Sequence, residues 1–217
     1  MNSPTACRTR TCLETLFATV LLVLFAASGA HAQVWTETGD AGNLLSSSQS
    51  TLGTGPLFSI NGSLVAPTDV DVYSVRLPAV PPAGLPLIQL QCAYLNGPNV
   101  WLFDATGKGV STNQTCAGGN KTIVAPPASL PTGTYYVAVS YTQLDPQSGA
   151  GAMWIPLLSG QRTPDGPGAA LALASWAGSP LVQPINPYHL SLTNMAFDAA
   201  AVPTARSTWG RVKSIYR

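Results

Sequence analysis

Apolar residues in this chain recur at every second position, in short runs broken by Gly, Pro and Asn. That period of two is the signature of strands with one face turned inward. Phe58 and Ile60 alternate just ahead of Asn61-Gly62, a turn signal. Val70 and Val72 share one face, with Asp69 and Asp71 on the other. Tyr73, Val75 and Leu77 continue in the opposite phase, so either a bulge shifts the register or both faces are covered. After a proline-rich loop at 78–86, Ile88, Leu90, Cys92 and Tyr94 share a face opposite Gln89 and Gln91. Residues 100–103 (Val-Trp-Leu-Phe) are apolar throughout, as in a strand buried on both sides. Asp104-Ala105-Thr106-Gly107 turns the chain, and residues 122–124 form a short strand. Tyr135, Val137, Val139 and Tyr141 line one face of the clearest strand. Residues 145–168 are rich in Gly and Pro and read as a surface excursion. Residues 170–176 alternate Leu with Ala; Ala and Leu also favour helix, but the surroundings favour strand. Tyr188, Leu190 and Leu192 close the series. About eight short strands joined by turns predict an all-β fold, a sandwich of two antiparallel sheets.

The first 32 residues follow a different rule. Arg8 and Arg10 precede an apolar run at 16–27, which ends in Ser28-Gly29-Ala30-His31-Ala32. A basic start, a short apolar centre and small residues at the end predict a signal peptide cut before Gln33. The run is shorter than the roughly 20 residues that a membrane span needs. Pro and Gly interrupt every later apolar stretch, so no transmembrane segment is expected in the mature chain. The expected location is therefore outside the cytoplasm: secreted, at the cell surface or periplasmic.

Charged residues make up only 9% of the chain, against 20 Gly and 19 Pro, which argues against a helical bundle. The body at 33–205 is mildly acidic, with no basic stripe for nucleic acid. Once Cys7 and Cys12 leave with the leader, Cys92 and Cys116 remain, and an even pair in an oxidising compartment predicts one disulfide. The last twelve residues, 206–217, carry four cations and no acid, with Trp209 and Tyr216 among them. Residues 196–205 read as the linker to that basic aromatic tail. The tail is expected to be a disordered end or a strap on the acidic body, with a sorting or attachment tag, anchored through Trp209 and Tyr216, as the alternative.

The order of several motifs resembles the bacterial pre-peptidase C-terminal (PPC) domain. They are Gly39-Asp40-Ala41-Gly42, Ile60-Asn61-Gly62, Asp69-Val70-Asp71-Val72-Tyr73, Leu102-Phe103-Asp104-Ala105-Thr106-Gly107 and Gly133-Thr134-Tyr135-Tyr136-Val137. Tyr188-His189-Leu190-Ser191-Leu192 also fits. The resemblance covers roughly 35–194 and implies a jelly-roll-like antiparallel β-sandwich over 33–195. Such domains usually accompany other extracellular modules, and some relatives bind collagen and calcium. Where the family often has an Asn-Asp-Asp run, this chain has Thr112-Asn113-Gln114-Thr115, which removes expected calcium ligands.

Asp40, Asp69, Asp71 and Asp104 are the candidate Ca²⁺ ligands, since that ion needs six to eight oxygens. The competing reading has Asp40 and Asp104 capping turns and Asp69 and Asp71 facing solvent on an edge strand. The sequence favours that second reading, with no cofactor and at most weak calcium dependence. His189, with Ser191 and Thr193 nearby, offers a nominal Ser/His pair, but no Gly-x-Ser-x-Gly elbow presents a nucleophile. Trp154, in the long loop, is the candidate exposed contact. The function expected is a secreted, non-enzymatic module for binding, adhesion or accessory roles, with an extracellular protein or polysaccharide as partner. The alternatives are a hydrolase using loop carboxylates, recognisable if Asp145, Asp165 and His189 converge, and a structural subunit of an extracellular assembly.

Overall fold

The computed structural model describes residues 33–92, 97–126, 129–156, 159–180 and 187–199. The expected leader, Tyr94 and the tail with Trp209 and Tyr216 lie outside these residues. In chain order the strands are β1 (Val34–Thr36), β2 (Gln49–Ser50), β3 (Ser59–Ser63), β4 (Val70–Leu77), β5 (Pro86–Gln91), β6 (Asn99–Asp104), β7 (Gly109–Asn113) and β8 (Asn120–Val124). They continue as β9 (Gly133–Ser140), β10 (Leu144–Ser148), β11 (Gly151–Ala152), β12 (Gln161–Arg162), β13 (Ser175–Gly178), β14 (Pro187–Leu192) and β15 (Ala196–Phe197). One sheet runs β1-β3-β14-β5-β8, a second β12-β7-β6-β9-β4-β15, with β2 beside β4, and a third β11-β10-β13. The chain is all-β, and nearly every pairing is antiparallel. The exceptions are the short pairs β1 with β3 and β2 with β4, which are parallel. Among the described residues no helix is long and apolar enough to cross a membrane.

The phase change in β4 has a packing cause. Tyr73, Val75 and Leu77 point with Val137 and Val139 into a core shared with Ile60, Ile88, Leu90 and Leu190. Val70 and Val72 point the other way with Trp101, Phe103 and Ala138, against Leu144, Met153 and Trp154. Both faces of the second sheet are therefore covered, and β4 pairs residue for residue with β9 without a bulge. β6 obeys the same rule: Val100 and Leu102 enter the first core, Trp101 and Phe103 the second. A strand with two buried faces reads apolar or mixed rather than alternating.

Several expectations are corrected. Residues 145–168 are not a surface excursion: β10 and β11 form there, and Met153 and Trp154 are buried beneath them. Residues 170–176 are not one strand. Ala169 and Leu171 donate backbone N–H groups to Gly166 and Gly168 in tight turns, Ala172 makes a single bridge to Lys108, and a strand begins only at Ser175. β7 escaped notice because its Val-Ser-Thr-Asn content carries little apolar signal. Residues expected as linker are sheet as far as Phe197, and the Asp198 carboxylate accepts hydrogen bonds from Ser74 Oγ and Thr134 Oγ1.

Candidate functional site

The parallel pairing of β1 with β3 delivers Glu37 to the end of the first sheet. Its backbone N–H donates to the Asn61 carbonyl at 2.9 Å. Its carboxylate accepts from the backbone N–H of Ala41 at 3.0 Å and of Ser63 at 2.8 Å. The turn that follows carries Asp40 and rests on β4, where Val72 N–H donates to the Gly42 carbonyl. β4 supplies Asp71 on the same face as Tyr73, and that face is inside the molecule. Carboxylate oxygens of Glu37, Asp40 and Asp71 lie within 4.8 Å of one another.

Asp71 is fully buried. Its Oδ2 accepts a 2.6 Å hydrogen bond from the Tyr188 hydroxyl, which is also 2.6 Å from the Tyr73 hydroxyl. Its Oδ1 has no hydrogen-bond partner. Burial pushes the Asp71 carboxyl up to about 8; the Tyr188 bond opposes this, and the charges of Glu37 and Asp69, with a hydrogen bond to the Glu37 carboxylate that the protonated form makes, add to it. The two tyrosines fit because residue 62 is glycine: a Cβ there would run into both hydroxyls. Burial also raises Tyr188 and Tyr73 above the ordinary phenol range. An unpaired buried oxygen among carboxylates is costly unless something positive or a proton faces it.

The four expected aspartates separate. Asp40 and Asp71 come together with Glu37, which the sequence reading missed. Its only sequence signal was its place three residues before Asp40. Asp69 lies beside this group, its carboxylate accepting from Val65 N–H, with burial first and then the Asp40 charge raising its pKa. Asp104 is elsewhere and does what a turn cap does: its Oδ1 accepts from Thr106 N–H, Thr106 Oγ1 and Lys108 N–H. The expectation that Asp71 faces solvent on an edge strand is wrong, because β4 has neighbours on both sides and cover on both faces.

Cys92 and Cys116 are joined by a disulfide. Trp154 is not an exposed contact. It is 1% exposed, 5.2 Å from Trp101 and 5.9 Å from Phe103 between ring centroids. His189 sits on the outward face of the first sheet, its Nδ1 2.7 Å from Asn61 Oδ1 and its Nε2 3.3 Å from Ser191 Oγ. Asp145 lines a cavity that neither His189 nor Asp165 reaches, and Asp165 pairs instead with Arg162.

No family model matches the chain, and no curated protein does. Among solved structures it is similar to the pre-peptidase C-terminal domain of collagenase from Bacillus anthracis. The identity is 15% and the TM-score 0.34, over 76% of this chain and 100% of that one. That neighbour is of the domain type the motifs resemble.

Proposed function

We propose that this chain is a secreted, non-catalytic β-sandwich module that acts by binding outside the cytoplasm, and that it holds a Ca²⁺ ion between Glu37, Asp40 and Asp71. The observation that carries the proposal is that the buried Asp71 carboxyl, whose Oδ1 takes no donor, is gathered with the carboxylates of Glu37 and Asp40. Oxygens about 2.4 Å from one Ca²⁺ lie at most about 4.8 Å apart, so the spacing suits that ion. Backbone N–H groups hold Glu37 in place and Tyr188 holds Asp71, which fixes two ligands before any ion arrives.

Melting curves with Ca²⁺ and with chelator test this. An ion at a hundred times its Kd adds about 2.7 kcal/mol to the folded state, or roughly 5–11 °C in a chain of this size. Asp71→Asn is expected to abolish the difference. Coincident curves for the unaltered protein would refute the ion site.

One observation favours a hydrolase: the Ser191–His189–Asn61 hydrogen-bond chain has the order of a nucleophile, a base and its orienting group. It sits on the flat face of β3 and β14, each with a strand on either side, where Ser191 is itself paired with Ser59 and Gln89 and no turn presents convergent backbone donors to it as an oxyanion hole would need. We therefore keep the non-catalytic reading. Labelling of Ser191 by a fluorophosphonate probe would reverse that choice.

A further inference from the structure

The outward face of β10 carries Gln143, Asp145 and Gln147 at every second position, beginning one residue before the strand. The residues opposite are small: Ala177 and Ser179 on and after β13, and Ala152 on β11. Large side chains on one strand and small ones on its neighbours leave an open trench of about 400 Å³, with Pro156 also on its wall. Asp145 is 6% exposed and lines this trench. Its Oδ1 receives only a long 3.4 Å bond from Gln114 Nε2, so it has capacity to accept more.

Gln143 is out of place by backbone rules. Leu144 N–H donates to the Tyr141 carbonyl at 3.1 Å, closing a turn with Gln143 third in order, at φ 69°. Gly or Asn ordinarily takes that left-handed position. Gly178 is forced opposite it, because a Cβ at 178 would strike the Gln143 carbonyl. A strained side chain kept on the rim of a cavity points to use of that side chain.

We propose that this trench binds one neutral sugar residue, the end of a polysaccharide chain or glycan, with Gln143, Asp145 and Gln147 contacting its hydroxyls. This rests on the reading of the chain as a binding module and names its ligand class. A carboxylate between two amides offers donors and acceptors along one edge at the spacing of alternate strand residues, roughly 7 Å, and so suits a ring bearing several hydroxyls. Ala152, Ala177 and Pro156 give the C–H faces of the ring an apolar wall. A ligand ammonium or guanidinium is disfavoured, because the Arg162 charge already acts on Asp145 and opposes the rise that burial imposes on it. Among the described residues no aromatic side chain lines the trench, so the affinity is modest, with a Kd of about 1 mM, as befits so few contacting atoms.

The test is an NMR titration of the ¹⁵N-labelled exported protein with maltose, cellobiose, lactose and N,N′-diacetylchitobiose, and separately with acetyl-arginine methylamide. At least one sugar is expected to shift the Gln143 and Gln147 side-chain amides saturably. Gln147→Ala and Gln143→Gly are each expected to weaken that sugar by roughly tenfold or more. Gln143→Gly relieves the left-handed strain and raises the melting temperature, which separates lost contacts from lost folding. Failure of all four sugars to shift these amides, an affinity unchanged from the unaltered protein in both variants, or saturable binding of the arginine compound alone would overturn the proposal. The calcium melts are read independently: sugar binding without calcium stabilisation removes the ion site and keeps the trench, and the reverse result removes only the trench.

Discussion

Lys121 gives the sharpest test of the packing. It points inward from β8, opposite Leu90, and is fully buried. Its Nζ donates to the Gly97 carbonyl and to Asn99 Oδ1, each at 2.7 Å, and no carboxylate among the described residues pairs with it. Burial lowers its pKa from 10.5 to about 8. The unfolded chain therefore holds a proton between pH 8 and 10.5 that the native chain has released, and stability rises with pH across that window. The slope is about 1 kcal/mol per pH unit between pH 8.5 and 9.5, roughly 2–4 °C in melting temperature. Asp71 acts with the opposite sign: its raised pKa makes stability fall as pH climbs towards about 8, and the effect levels off above that value. Tyrosines of the unfolded chain ionise near 10, which sets the upper limit of the measurement. Urea unfolding at half-unit steps from pH 8 to 9.5 reads the slope directly. Lys121→Met keeps the length and removes the charge, so the wild-type curve minus the Met curve isolates the Lys121 slope from the falling contributions of Asp71 and of the buried tyrosines. The Met variant leaves Asn99 Oδ1 without this donor, a cost of about 1–3 kcal/mol that appears in full at pH 9.5 and is offset near pH 7 by removal of the buried charge. An equal slope in wild type and the Met variant would refute the assignment of Lys121 as a buried amine without a carboxylate partner.

Trp154→Ala is expected to cost about 3–5 kcal/mol in chemical unfolding, because it empties the space between Trp101 and Phe103; a loss below about 1 kcal/mol would return Trp154 to the surface. Replacing both Cys92 and Cys116 by Ser opens a ring closed across 24 positions and is expected to lower stability by about 3.5 kcal/mol, measured by urea melts with and without reductant. The exported protein is expected to begin at Gln33, and N-terminal sequencing of secreted material that starts before residue 33 would refute the proposed cleavage.

The all-β class, the turn at Asp104 and the pairing of the cysteines were legible in the sequence, because each is local or arithmetical. A period of two survives in any strand with one covered face, Asp104 bonds only within its own turn, and two remaining thiols leave one pairing. Burial on the second face was not legible. Leu144, Met153 and Trp154 lie in a stretch whose Gly and Pro content resembles a loop, and only the closure of β10 on β13 shows that they cover Trp101 and Phe103. Asp71 follows the same logic: alternation placed it opposite two valines, and the existence of a core on both sides of β4 turned that into burial. Glu37 and Asp71 are brought together by the pairing of β1 with β3 and the turn that lays residue 42 on β4, contacts between residues far apart in the chain. Local pattern fixes which way a side chain points from its strand. Whether water, a proton, an ion or another layer of protein meets it there is decided by sheets that the local sequence does not contain.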